Sequence, residues 1–155
     1  MNDRQYLMHV MKGDEAAVQL ALDLTYVSNI WDDMIDGDKE LTHADINTAF
    51  ATALLGIPRN PFFQRFANDL LPVMSVGIAN FLIANQYERG GREDRAMAHV
   101  LRYSVVDVVV QMACLIGGMA WVELVGPELR RRGQRDTLDN YLADMEIKHA
   151  GPTQA

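Results

Sequence analysis

From Val105 to Val122 the chain is apolar almost all round. A helix without a polar face belongs either at the centre of a bundle or in a membrane. Asp107, Gln111 and Glu123 interrupt the stretch and its edge, and a charge at the middle of a span costs about 2.5–3.5 kcal/mol on insertion scales. The segment is therefore expected to be the buried core helix of a protein that does not enter a membrane. It should run from Arg92 to near Gly126–Pro127. Leu70 to Ala84 is also apolar, but it is short and contains Pro72 and Asn80. No strand-like alternation occurs anywhere. The expected fold class is all-α, a compact bundle of about five helices around the central apolar helix.

With 155 residues the chain predicts one domain. Residues 1–13 read as an N-terminal arm, 14–148 as a single helical domain and 149–155 as a frayed tail. Asp14 is placed to cap a helix, with Glu15 in its first turn. Leu20, Leu24, Val27, Trp31 and Met34 then recur at helical spacing, and Gly37 supplies the stop. Thr42 with Asp45 resembles a capping box. Ile46, Ala49, Phe50, Ala53 and Leu54 give that helix its apolar face, and Gly56 and Pro58 end it. Asn60–Pro61 opens the next helix, which Pro72 should kink. Thr137 caps a last helix whose Leu138, Tyr141, Leu142 and Met145 dock on the bundle or pair with another subunit, so a homo-oligomer is left open.

A net charge of −7 argues against nucleic-acid binding, which needs clustered cations to displace counterions. It argues equally against anionic membrane surfaces. The single cysteine, Cys114, lies in the apolar helix and reads as a small core residue. With Met1–Lys12 lacking an apolar leader stretch, the expected compartment is the cytoplasm. The four histidines are scattered, without zinc-ligand spacing.

The candidate site is Trp31-Asp32-Asp33-Met34-Ile35-Asp36-Gly37-Asp38. Four acids crowd a helix C-terminus, an end that already carries partial negative charge. Asp32 and Asp36 also face the same way, one turn apart. A divalent cation such as Mg²⁺ would turn that repulsion into coordination, which makes Asp32, Asp33 and Asp36 candidate metal ligands. A solvated acidic turn is the plainer alternative. In the central helix His99, Tyr103, Asp107 and Gln111 follow at one-turn steps. That stripe either lines a pocket opposite the acids or only fixes helix register.

Asp32-Asp33-x-x-Asp36 on a helix resembles the aspartate-rich motif of class I isoprenoid and terpenoid synthases. Tyr103 to Gly118 is similar to the long apolar helix that faces the acids in that family. The resemblance implies Mg²⁺ as cofactor on Asp32, Asp33 and Asp36, a diphosphate ligand, and a pocket lined by Asp107, Gln111, Asn80 and Tyr103. Where the prenyl synthases carry an arginine pair, this chain reads Lys39-Glu40-Leu41-Thr42, and a second Asp-Asp-x-x-Asp is absent. It therefore implies a diphosphate-binding helical protein, like a truncated synthase, more than it implies turnover. The alternative expectation is a non-enzymatic interaction or structural protein with a protein partner, of the kind found among phage accessory or virion proteins.

Overall fold

A computed structural model describes residues 3–37 and 39–150. Asp38 of the acidic turn and most of the expected tail, 151–155, lie outside the described residues. The fold is all-α, and no strand occurs among the described residues. In chain order the helices are α1 (Asp3–Val10), α2 (Glu15–Asp36), α3 (His43–Ala51), α4 (Ile57–Arg59), α5 (Pro61–Tyr87), α6 (Arg92–Leu101), α7 (Val105–Gly133) and α8 (Leu138–His149).

The helix ends follow side-chain chemistry. Asp14 accepts a hydrogen bond from the Ala17 amide at 2.9 Å, and Gly37 closes α2 at φ 67°. Thr42 and Asp45 form a reciprocal capping box on α3. Asn60 accepts from the amides of Phe62 and Phe63, and its own amide donates to the Ala16 carbonyl, tying the start of α5 to α2. Thr137 caps α8.

Four expectations are corrected. Residues 3–10 are not a loose arm but α1, whose Tyr6 and Val10, with Met11 just beyond, are buried in the main core. The helix beginning at His43 does not stop at Gly56. It passes through a π-turn, Thr52–Gly56, into α4, and Phe50 and Leu54 are left exposed. In α5 the backbone leaves helical values at Phe66 (φ −118°, ψ 21°) rather than at Pro72. Phe66 stacks on Phe62 with ring centroids 4.7 Å apart.

The fourth correction matters most. The single helix expected over Arg92–Gly126 is two elements, α6 and α7, and α7 is itself a hairpin. Between α6 and α7 the amides of Tyr103, Ser104, Val106 and Asp107 bond three residues back rather than four, which shifts the helical phase. Within α7, Gly118 adopts φ 75°, ψ −177°, a region essentially reserved for glycine. Asp107 and Arg130 would stand about 35 Å apart on a straight helix at 1.5 Å per residue. Instead they form an ion pair, so the chain reverses at Gly118 and lays arm 119–133 back along arm 105–117. The close approach is tight: a Cβ on Gly133 would overlap the Val106 side chain.

The main core joins α1, α2, α5 and α7, with Leu20, Leu70 and Met112 fully enclosed. A smaller cluster, Ala84, Ala98, Tyr141 and Met145, docks α8 on α5 and α6.

Candidate ligand cleft and its ionic end

The acids at the end of α2 meet a side chain that becomes their counter-ion. Arg102 caps the C-terminus of α6, where a cation also complements the helix dipole. Its Nη2 donates to both Asp32 and Asp36, and its Nη1 to Glu88 at 2.6 Å and to Asn85 Oδ1 at 3.2 Å. Glu88, the C-cap of α5, also accepts from the Tyr141 hydroxyl of α8. Lys148 approaches Asp36 at 3.6 Å. The face of Phe81 lies 5.3 Å from the guanidinium carbon and packs on Trp31. One guanidinium thus ties together α2, α5 and α6, and through Glu88 it reaches α8.

The side chains of Arg102, Glu88 and Asp36 are 9%, 8% and 12% exposed, whereas Asp32 stands at the wet edge of the cluster with 42% exposure. Burial works against the charge on Arg102. Asp32, Glu88 and Asp36 outweigh it and hold the guanidinium pKa above its ordinary value. Asp32 is driven the other way. Burial raises its carboxyl pKa, Arg102 lowers it, and Asp36 and Asp33 raise it again, for a net rise. The Tyr141 hydroxyl is pushed well above the usual phenol range by burial and by its bond to Glu88.

Beside this cluster runs an apolar cleft of about 1400 Å³. It follows α2 from Ala21 to Asp36, about 22 Å at the helical rise. Leu24, Trp31, Met74, Phe81, Val109 and Leu129 form much of its wall. Asp32, Asp36, Arg102 and Lys148 line it at one end; Arg132 and Arg135 line it elsewhere.

The sequence-derived candidates do not gather in one place. Asp32, Asp36 and Tyr103 line this cleft. Asn80, Tyr103 and Asp107 line a separate cavity of about 220 Å³. There Asn80 donates to the Ser104 hydroxyl at 2.9 Å and Asp107 pairs with Arg130. Asp33 and Gln111 line neither space. His99, first in the expected stripe, is buried between Gln134, which donates to Nδ1 at 3.0 Å, and the Asp136 carbonyl, which accepts from Nε2 at 3.0 Å. Three members of the expected stripe stay neighbours, with His99 edge-on to Tyr103 at 5.8 Å and Tyr103 and Asp107 on the small cavity, whereas Gln111 lies away from it. The residues that sequence reasoning did not assign to the acid site are Arg102, Glu88, Tyr141 and Lys148. Arg102 carried one available signal: a lone cation close before the most apolar run.

Mg²⁺, the cation implied by the resemblance, would have to compete with Arg102 for Asp32 and Asp36. Among the described residues no three of His, Cys, Asp and Glu come together as a metal-ligand group, and one oxygen of each of Asp32 and Asp36 already accepts from Arg102.

Fold and site define an all-α protein with an apolar cleft lined in part by a largely buried ionic cluster. No family model, curated protein or solved structure matches the chain.

Proposed function

We propose that the protein binds an elongated, largely apolar molecule with a polar head, without transforming it. The cleft beside Arg102 carries this reading. Ligand sites are mostly apolar hollows with a few convergent polar groups, usually about 300–1000 Å³, and this one is larger, at about 1400 Å³. Trp31, Phe81 and Met74 would hold the apolar body, and Lys148 would meet the head at the Arg102 end. A prenyl diphosphate, the ligand class of the resembling synthases, has this form. Here its charge would be met by Lys148 and, elsewhere along the cleft, by Arg132 and Arg135, because both amino groups of Arg102 are taken up by Asp32, Asp36, Glu88 and Asn85.

The test is thermal melting with farnesyl diphosphate and with farnesol, each with Mg²⁺ or with EDTA. A ligand at one hundred times its dissociation constant adds about 2.7 kcal/mol. Stabilisation by farnesyl diphosphate that persists in EDTA and is lost in Ile78→Trp, a cleft-wall substitution, supports the reading. Equal stabilisation by farnesol would assign the affinity to the apolar body alone. No shift with either molecule overturns the proposed ligand class.

A further inference from the structure

We propose that α8 is a lid on the ionic end of the cleft, hinged at Thr137 and latched to the body by Tyr141 and Lys148. The lid rests on the reading of the cleft as a ligand site and adds how that site is entered. Tyr141, Asp144, Met145, Ile147 and Lys148 of α8 all line the cleft. Ile147 is nevertheless 76% exposed, which puts α8 at the rim of the cleft and not on its floor.

Packing sets α8 apart from the body. The buried residues of the main core run from Tyr6 to Leu129. Tyr141 and Met145 belong instead to the small cluster with Ala84 and Ala98. Elements with few buried apolar contacts open locally, at a lower free energy than global unfolding. The segment before α8 is held in place, because Gln134 donates to His99 Nδ1 and the Asp136 carbonyl accepts from His99 Nε2, each at 3.0 Å. Thr137 follows with extended backbone, φ −76° and ψ 152°. Rotation there swings α8 and leaves the pinned residues where they are.

Two polar links hold the free side of the lid. The Tyr141 hydroxyl donates to Glu88 of α5, and Lys148 Nζ stands 3.6 Å from Asp36 at the end of α2. The second is longer than the about 2.7–2.9 Å of a close charge-assisted hydrogen bond, so it yields readily. Asp36 and Glu88 both keep Arg102 as counter-ion when these links part, so opening leaves no buried carboxylate without a cation. Lys148 is also the group that would meet an anionic head at this end. A bound head is therefore gripped by the lid itself, and binding shifts the population toward the closed form.

A C-terminal helix that merely frays would open in the same way without changing access to the cleft. The two tryptophans separate these cases. Trp31 lines the cleft and packs on Phe81 beside Arg102, whereas Trp121 lines neither cavity. The experiment compares the parent with Tyr141→Phe/Lys148→Gln, without ligand, by hydrogen-exchange mass spectrometry and by acrylamide quenching of tryptophan fluorescence. In the variant the amides of 138–149 should lose protection by about tenfold while those of α2 and α5 keep theirs. In a Trp121→Phe background quenching of Trp31 should rise about twofold as the lid opens; in a Trp31→Phe background quenching of Trp121 should not change. Protection lost equally from α8 and α5 is global unfolding and overturns the lid, as does unchanged protection of α8. A loss confined to α8 that leaves the quenching of Trp31 unchanged is fraying and overturns it too. Both readouts are taken without ligand, so failure of the proposed ligand class is distinguished from failure of the lid.

Discussion

Arg102 and Asp36 stand 66 residues apart in sequence and share an ion pair in which neither side chain exceeds 12% exposure. The same guanidinium holds Asp32 and Glu88, so the acids that end α2 owe their placement to one cation on another helix. Removing that cation leaves Asp36 and Glu88 buried with reduced compensation. Breaking a buried pair from one side costs about 3–5 kcal/mol. Arg102→Met should lower the melting temperature by roughly 6–20 °C, at about 2–4 °C per kcal/mol for a chain of this size. Circular dichroism melting checks this, and a fall within about 2 °C, less than 1 kcal/mol on that scale, would show that the cluster contributes little.

Asp32 behaves oppositely, because burial raises its pKa against the pull of Arg102. In the folded chain it keeps its proton to higher pH than in the unfolded chain. Its contribution to stability therefore falls as pH rises from the unfolded value, 3.8, through the raised folded value, and stays at that lower level above it. Asp32→Asn should melt no lower than the parent at pH 7, and any gain should shrink toward pH 4. Paired melts across that range test the sign; a variant that is clearly weaker at pH 7 refutes it.

Tyr141 anchors α8 by donating to Glu88. A hydrogen bond to a charged acceptor contributes about 1.5–3 kcal/mol. Tyr141→Phe should lose that amount, and most of the loss should disappear when Glu88→Gln is already present, as coupled residues in contact require. Denaturant unfolding of the four-member cycle measures the coupling; additive losses would mean that the bond contributes nothing.

Gly118 turns the chain between the two arms of α7, and alanine there should destabilise. A Cβ at Gly118 meets no neighbour within 4 Å, so the penalty there is pure backbone strain at φ 75°, about 1–3 kcal/mol. Chemical denaturation of Gly118→Ala measures it; an unchanged midpoint would argue against the reversal.

Much of the fold was legible because it rests on local chemistry. Asp14, Thr42, Asn60 and Thr137 mark helix starts by accepting from amides a few residues on, and Gly37 ends α2 in a left-handed turn with its own amide donating to the Asp33 carbonyl; such bonds need only neighbours in sequence. The helical period of α2 and the all-α class follow in the same way. What short-range pattern could not carry is direction over long distance. The reversal at Gly118 turns one apolar run into two packed arms, and it brings Arg130 and Gln134 of the returning arm onto Asp107 and His99. The acid cluster could be read as a charge in need of a counter-charge. That the side chain of Arg102 supplies it was decided by tertiary structure, because only the packing of α6 against α2 brings guanidinium and carboxylates together out of water.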